Sequence, residues 1–173
     1  GSEMCIRDSH RCNVLNGEVT IGETVKAYID VPRREQIRVH HTSAHLLQAA
    51  LVKVLGSEVK QAGSYVDEHR MRFDFTFSRA MTHDEIVKVE NLMNKWIGEG
   101  YKVNTKVMGI KEAELTGATA LFGEKYGDTV RVVSIEKDTE NGVDCISKEF
   151  CAGTHARQLV DCLLYTSDAA DDL

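Results

Sequence analysis

Between Met71 and Phe77 the chain reads MRFDFTF, with a large apolar side chain at every second position and Arg72, Asp74 and Thr76 between them. Such alternation gives an extended strand one oily face, and that face has to be covered. The polar run Asp67–Arg70 separates it from Ser64–Val66, so the pair predicts an antiparallel hairpin. Two segments of helical period supply the cover. In His41–Val54, the residues Ala44, Leu47, Ala50, Leu51 and Val54 share one face, and Gly56 stands just beyond as a stop. In the second, Thr82 and Glu85 have capping-box spacing ahead of Ile86, Val89, Leu92, Met93, Trp96 and Ile97, and the stripe ends near Gly98 and Gly100.

Further along, Tyr101–Met108 reads as a strand, Lys111–Leu115 as a short helix stopped by Gly117, and Thr129–Ile135 as a strand rich in β-branched residues. The dipeptide Asn141–Gly142 marks a turn, and the return strand Asp144–Phe150 delivers the chain to CAGTH at Cys151–His155. Ahead of the first helix, Val19 and Ile21, then Val25, Ala27 and Ile29 beyond Gly22, read as two short strands interrupted by Pro32. The order of elements predicts an α+β fold, a two-layer sandwich of antiparallel sheet with long helices on one face.

Composition excludes several classes. With 173 residues, 42% hydrophobic content and one Pro, the chain suits one globular domain or slightly more, and not a collagen, a disordered tail or a disulfide mini-protein. No apolar run approaches the roughly 20 residues of a membrane span, and no basic-then-apolar leader is present, so a cytoplasmic location with reduced thiols is expected. Cys5, Cys12, Cys145, Cys151 and Cys162 show no disulfide spacing. Back-translated, GSEMCIRDS at residues 1–9 and CLLYTSDAAD from Cys162 admit coding strands that are partly reverse complements, and both resemble translated transposase sequencing adapters. Residues 1–9 and 162–173 are therefore expected to be non-native. Removing the −1 of Glu3, Arg7 and Asp8 and the −3 of Asp168, Asp171 and Asp172 from the net −6 leaves −2, which neither favours nor opposes an RNA partner.

Two residue pairs carry the chemistry. His41 and His45 are four apart at the expected helix start, which puts both imidazoles on one face, and Cys151 and His155 repeat that spacing. Alone, each pair is weak evidence, because histidines at helical spacing often cap or line a helix. Together they offer two or three nitrogens and a thiolate, a donor set suited to tetrahedral zinc.

The runs VHHTSAHLL, VKQAGSYV, RFDF, GATALFGEKYGDTVRVV and CAGTH resemble the editing domain of alanyl-tRNA synthetase from Ile37 to His155, and Glu18–Arg33 is similar to the end of the small β-barrel before it. The resemblance divides the chain into a barrel remnant at 10–35 and an editing domain at 36–161. It implies hydrolysis of serine or glycine wrongly esterified to the acceptor end of tRNA(Ala), in concert with the remaining synthetase domains. An alanine-sized pocket discriminates against one methylene by only about 1–3 kcal/mol and rejects an added hydroxyl poorly, so a second hydrolytic site has to supply the fidelity. By the same resemblance, His41, His45, Cys151 and His155 bind Zn2+, Gln61 positions substrate or water, and Thr42 contacts substrate. Gln61, Cys151 and Thr42 form the expected catalytic set. Zinc would either acidify an attacking water or orient the aminoacyl ester. Two other readings are a zinc-stabilised module that binds the tRNA acceptor without turnover, and a free-standing trans-editing protein.

The chain departs from the pattern at several places. Ala152 replaces the first of two usual glycines, which is tolerable if its φ is negative. His40 stands where asparagine is usual, Leu159 and Val160 replace a Thr-containing continuation, and Glu136–Lys148 reads as an enlarged loop. GATALFGEKYGD lacks the GK[ST] ending of a phosphate loop and reads as a turn-rich segment near the acceptor end. Cys12 and Cys145 are expected to be ordinary buried thiols.

Overall fold

The computed structural model describes residues 11–120 and 126–162. Helix α1 spans Val31–Leu55 and is followed by β1 (Lys60–Val66), β2 (Met71–Thr76) and helix α2 (His83–Gly98). Then come β3 (Lys102–Gly109), the short helix α3 (Ile110–Leu115), β4 (Thr129–Thr139), β5 (Gly142–Phe150) and a 3-10 turn at Leu159–Asp161. The fold is α+β with antiparallel pairing, as expected, but the strands divide into two sheets, β1-β2 and β3-β4-β5.

The main core lies where α1, α2 and the β1-β2 hairpin meet. Leu46, Ala50 and Leu51 of α1 pack with Val89, Met93, Trp96 and Ile97 of α2, and Phe73, Phe75 and Phe77 close the cluster. The hairpin alternation therefore does what its period requires. Along β4, Ile135 joins this core, whereas Val130 and Val132 turn the other way and pack with Phe150 and with Ala113 of α3. The three-stranded sheet is thus covered on both faces, with the long helices on one and α3 on the other.

The local signals at α2 hold in full. The Thr82 hydroxyl accepts the Glu85 N–H, and the Glu85 carboxylate accepts the Thr82 N–H. Helix α1, however, begins well before His41. Asp30 caps it by accepting the Arg33 N–H, and Pro32 lies in the first turn, where an amide would have no helical partner. Pro32 starts the helix rather than interrupting a strand.

The two short strands expected before it are not formed, and Val19, Ile21, Val25 and Ile29 are exposed. Alternation predicts a strand only where a partner takes up its hydrogen bonds, and among the described residues none pairs with this segment. No closed barrel is present among those residues.

Glu136–Lys148 is not a loop, because β4 continues to Thr139 and β5 starts at Gly142. Gly142 has φ 119°, which a glycine supplies without strain. Cys12 and Cys145 are exposed rather than buried. Cys162, placed by the sequence in the adapter-like run, is fully buried beside Leu46 and Leu159. The rest of that run, residues 1–9, and Leu121–Lys125 of GATALFGEKYGD lie outside the described residues. Of the latter motif's flanks, Thr119 pairs with β5 and the Tyr126 ring meets Phe150 edge-on at 5.2 Å.

Candidate metal centre

His41 and His45 sit one turn apart in the middle of α1, and their rings stack at 5.3 Å between centroids. Cys151 follows directly on β5 and begins the loop that ends at the 3-10 turn. Backbone contacts fix that loop at both ends. The Cys151 N–H donates to the Arg131 carbonyl at 3.0 Å, and the Arg131 guanidinium donates to the Ala152 carbonyl at 2.9 Å. Beyond the site, the Val103 N–H donates to Arg157 at 3.0 Å and the Leu159 N–H to Tyr101 at 2.9 Å. A further bond ties the loop to α1, since the Ala156 N–H donates to the Thr42 hydroxyl at 2.9 Å.

This scaffold brings the four side chains together. One ligand atom from each of His41, His45, Cys151 and His155 lies within 4.8 Å of every other. The Cys151 sulfur is 3.4 Å from His41 Nε2 and 3.3 Å from His155 Nε2. Tetrahedral zinc with nitrogen and sulfur ligands sets its donors about 3.3–3.8 Å apart, so a modest contraction suffices. The tautomer also suits an ion. His45 Nδ1 lies 2.6 Å from a Glu149 carboxylate oxygen, which can only accept, so the proton is on Nδ1. The remaining nitrogen, Nε2, is buried with no hydrogen-bond partner, and it is the atom a cation would take up.

At Cys151 and His155 the electrostatics point the same way. Burial pushes the Cys151 thiol up, but contacts with His155, His41 and His45 outweigh it and bring the group down to about 3, which favours the thiolate a metal requires. Burial lowers His45, and the nearby Cys151 sulfur together with the bond to Glu149 overcomes this and raises it to about 10. Burial dominates at His155 and lowers it.

The remaining sequence-predicted residues fall in two settings. Thr42 is fully buried, with its hydroxyl occupied by the Ala156 N–H. Gln61 lies on β1 opposite Phe75, just before a bulge at Gly63. Directly opposed residues share a face, so Gln61 is on the face that Phe75 turns to the helices. His40, given no role by the sequence, donates from Nδ1 to the Asp67 carbonyl at 2.7 Å and ties the β1-β2 turn to α1.

Two residues of the site were missed. Glu149 carries the only obvious signal, an acidic residue two positions before Cys151 in a return strand. Gly153 is buried against His41, with no room for a Cβ.

No family model matches the chain. It is 48% identical over 149 residues to alanine–tRNA ligase 1 of Lachnoclostridium phytofermentans, which covers 86% of this chain and 16% of that protein. The chain is related to a segment of alanine–tRNA ligases. It is 46% identical over 149 residues to the alanine–tRNA ligase of Thermus thermophilus, 86% of this chain and 17% of the ligase. It is also 45% identical over 146 residues to the chloroplastic/mitochondrial alanine–tRNA ligase of Populus trichocarpa, 84% of this chain and 14% of the ligase. The chain therefore spans only about one sixth of the length of these curated relatives. Among its described residues, no helix is long and apolar enough to cross a membrane.

Proposed function

We propose that the chain is the editing segment of an alanine–tRNA ligase and hydrolyses the ester of Ser-tRNA(Ala) or Gly-tRNA(Ala) at a zinc site. The observation that carries this reading is the convergence of two ligand pairs from distant parts of the sequence within 4.8 Å. His41, His45, Cys151 and His155 would hold the ion. When bound, zinc supplies Lewis acidity and a fixed point of attachment for the aminoacyl group.

The chain's own residues do the rest. Gln61 offers both a donor and an acceptor, which suits holding an ester carbonyl or an attacking water in line. Thr42 serves as the clamp that keeps the Cys151–His155 loop on α1, its hydroxyl accepting the Ala156 N–H and keeping its own O–H to donate. The tRNA acceptor end is the proposed partner, together with the remaining domains of the ligase.

A second reading has an observation in its favour. Four protein ligands with no open position describe a structural zinc site, and the segment would then bind the acceptor end without turnover. One experiment separates the two: release of serine from Ser-tRNA(Ala) by this chain, beside Ala-tRNA(Ala), with and without a chelator, while circular dichroism follows the fold. Faster loss of serine, abolished by chelation with the helices intact, is expected for the esterase. A folded, zinc-loaded chain that releases no serine refutes it.

A further inference from the structure

We propose that Glu149, backed by Ser147, is a positioning residue that sets the orientation and tautomer of His45 for metal binding; this rests on the metal reading above.

The geometry is a relay along one face of β5. Ser147 and Glu149 are two residues apart and so project to the same side. The Ser147 hydroxyl donates to one Glu149 oxygen at 2.9 Å, and His45 Nδ1 donates to the other at 2.6 Å. Both carboxylate oxygens are thus engaged, and the acid is nearly buried, with 14% of its side chain exposed against 10% for His45.

Its backbone is held from two sides as well. Glu149 pairs with Val133 of β4, while Thr119 bridges it on the other edge by donating to the Lys148 carbonyl and accepting the Phe150 N–H, each at 2.9 Å. A carboxylate held this way leaves the His45 ring one orientation, with Nε2 turned to the three other ligands.

Charge supplies a second reason for an acid at this position. A buried dication is costly unless matched, and one thiolate offsets half of its charge. The Glu149 carboxylate supplies the other half. An ordinary ion pair that merely joins β5 to α1 would also bring these residues together, but it would not need the nitrogen facing the other ligands to be left unpaired.

The test uses the 173-residue chain and zinc itself, with affinity read by competition against a chromophoric chelator and Co2+ absorption as a signature of ligand geometry. Partners of metal-bound histidines contribute about 10–100-fold to affinity, so Glu149→Ala is expected to bind zinc that much more weakly, with an altered Co2+ band. Glu149→Gln keeps an acceptor for Nδ1 but not the charge, and is expected to bind zinc more tightly than Glu149→Ala and more weakly than the unaltered chain. A purely structural role would instead lower the melting temperature of the metal-free chain and leave the Co2+ spectrum unchanged.

Wild-type affinity and spectrum in Glu149→Ala overturn the inference, as does a Glu149→Gln variant as weak as Glu149→Ala. Should Glu149→Ala fail to fold, Ser147→Ala decides: a few-fold loss with a shifted spectrum supports the relay, and no change overturns it. If the unaltered chain binds no zinc, the metal reading itself falls. Tight binding by both the unaltered chain and Glu149→Ala overturns only the role of Glu149.

Discussion

Replacing Gly153 by alanine is expected to strip zinc affinity while leaving the metal-free fold nearly intact. A Cβ at this position would lie 1.9 Å from His41 Cε1, 2.3 Å from Nδ1 and 3.2 Å from Nε2. Nonbonded carbons rest at about 3.5–4.0 Å, so the ring or the loop has to move by about 1.5 Å. Without metal the ring can swing aside, because it is the end of a side chain with two free torsions. With metal bound it cannot, since ligand distances tolerate only about 0.2 Å. The overpacking cost, about 1–3 kcal/mol, therefore falls on the metal-bound state and corresponds to about a 5- to 150-fold weaker zinc affinity.

Chelator competition on the variant, beside its circular dichroism melt without metal, measures both quantities. The neighbouring change Ala152→Gly serves as control. No described non-glycine residue has positive φ, so Ala152 is unstrained and its replacement is expected to alter affinity by less than about twofold. Zinc affinity in Gly153→Ala within about twofold of wild type would falsify the argument that His41 packs on this glycine as a ligand.

Three further outcomes are expected. Thr42→Val keeps the buried volume but leaves the Ala156 N–H unpaired, so it should cost about 1–3 kcal/mol of stability, read from denaturant melts; an unchanged midpoint would show that the clamp contributes nothing. Gln61→Ala should slow serine release without weakening zinc, and equal losses of both would place Gln61 in the scaffold instead. The side-chain bond from Arg79, with the Thr82 N–H behind it, holds Glu85 at about 2, against about 4.3 for a free glutamate. Because the folded value is the lower one, this contribution is complete above pH of about 4.3 and is lost as pH falls toward 2. The Arg79–Glu85 pair is exposed on the arginine side, so high salt should flatten the difference between wild type and Glu85→Gln, and melts across this range that coincide at low salt would refute it.

Legibility followed the range of each interaction. Thr82 and Glu85 satisfy each other within one helical turn, and Gly142 supplies the backbone angle of its own turn, so both are readable from a few neighbouring residues. The α1 start was also written locally, in Asp30 and Pro32, but proline can either break a strand or open a helix, and the packing of the residues after it decides between them. Val19–Ile29 shows the opposite case, because alternation there is a property of the residues while a strand is a property of a pair.

At the metal centre the same division holds. Spacing alone put His41 beside His45, since a single helical turn determines it, whereas Cys151 and His155 lie four apart in a loop whose shape other residues set. The meeting of the two pairs depended on β5 crossing α1, on Arg131 and Thr42 holding the loop, and on an empty space at Gly153 that no pattern in a single chain encodes. Glu149 belongs with these long-range facts: its value to His45 lies in a bond spanning 104 residues. Periodicity and caps are local free energies that the sequence carries by itself, whereas a coordination sphere is a coincidence of surfaces, and only the packed tertiary structure decides which surfaces meet.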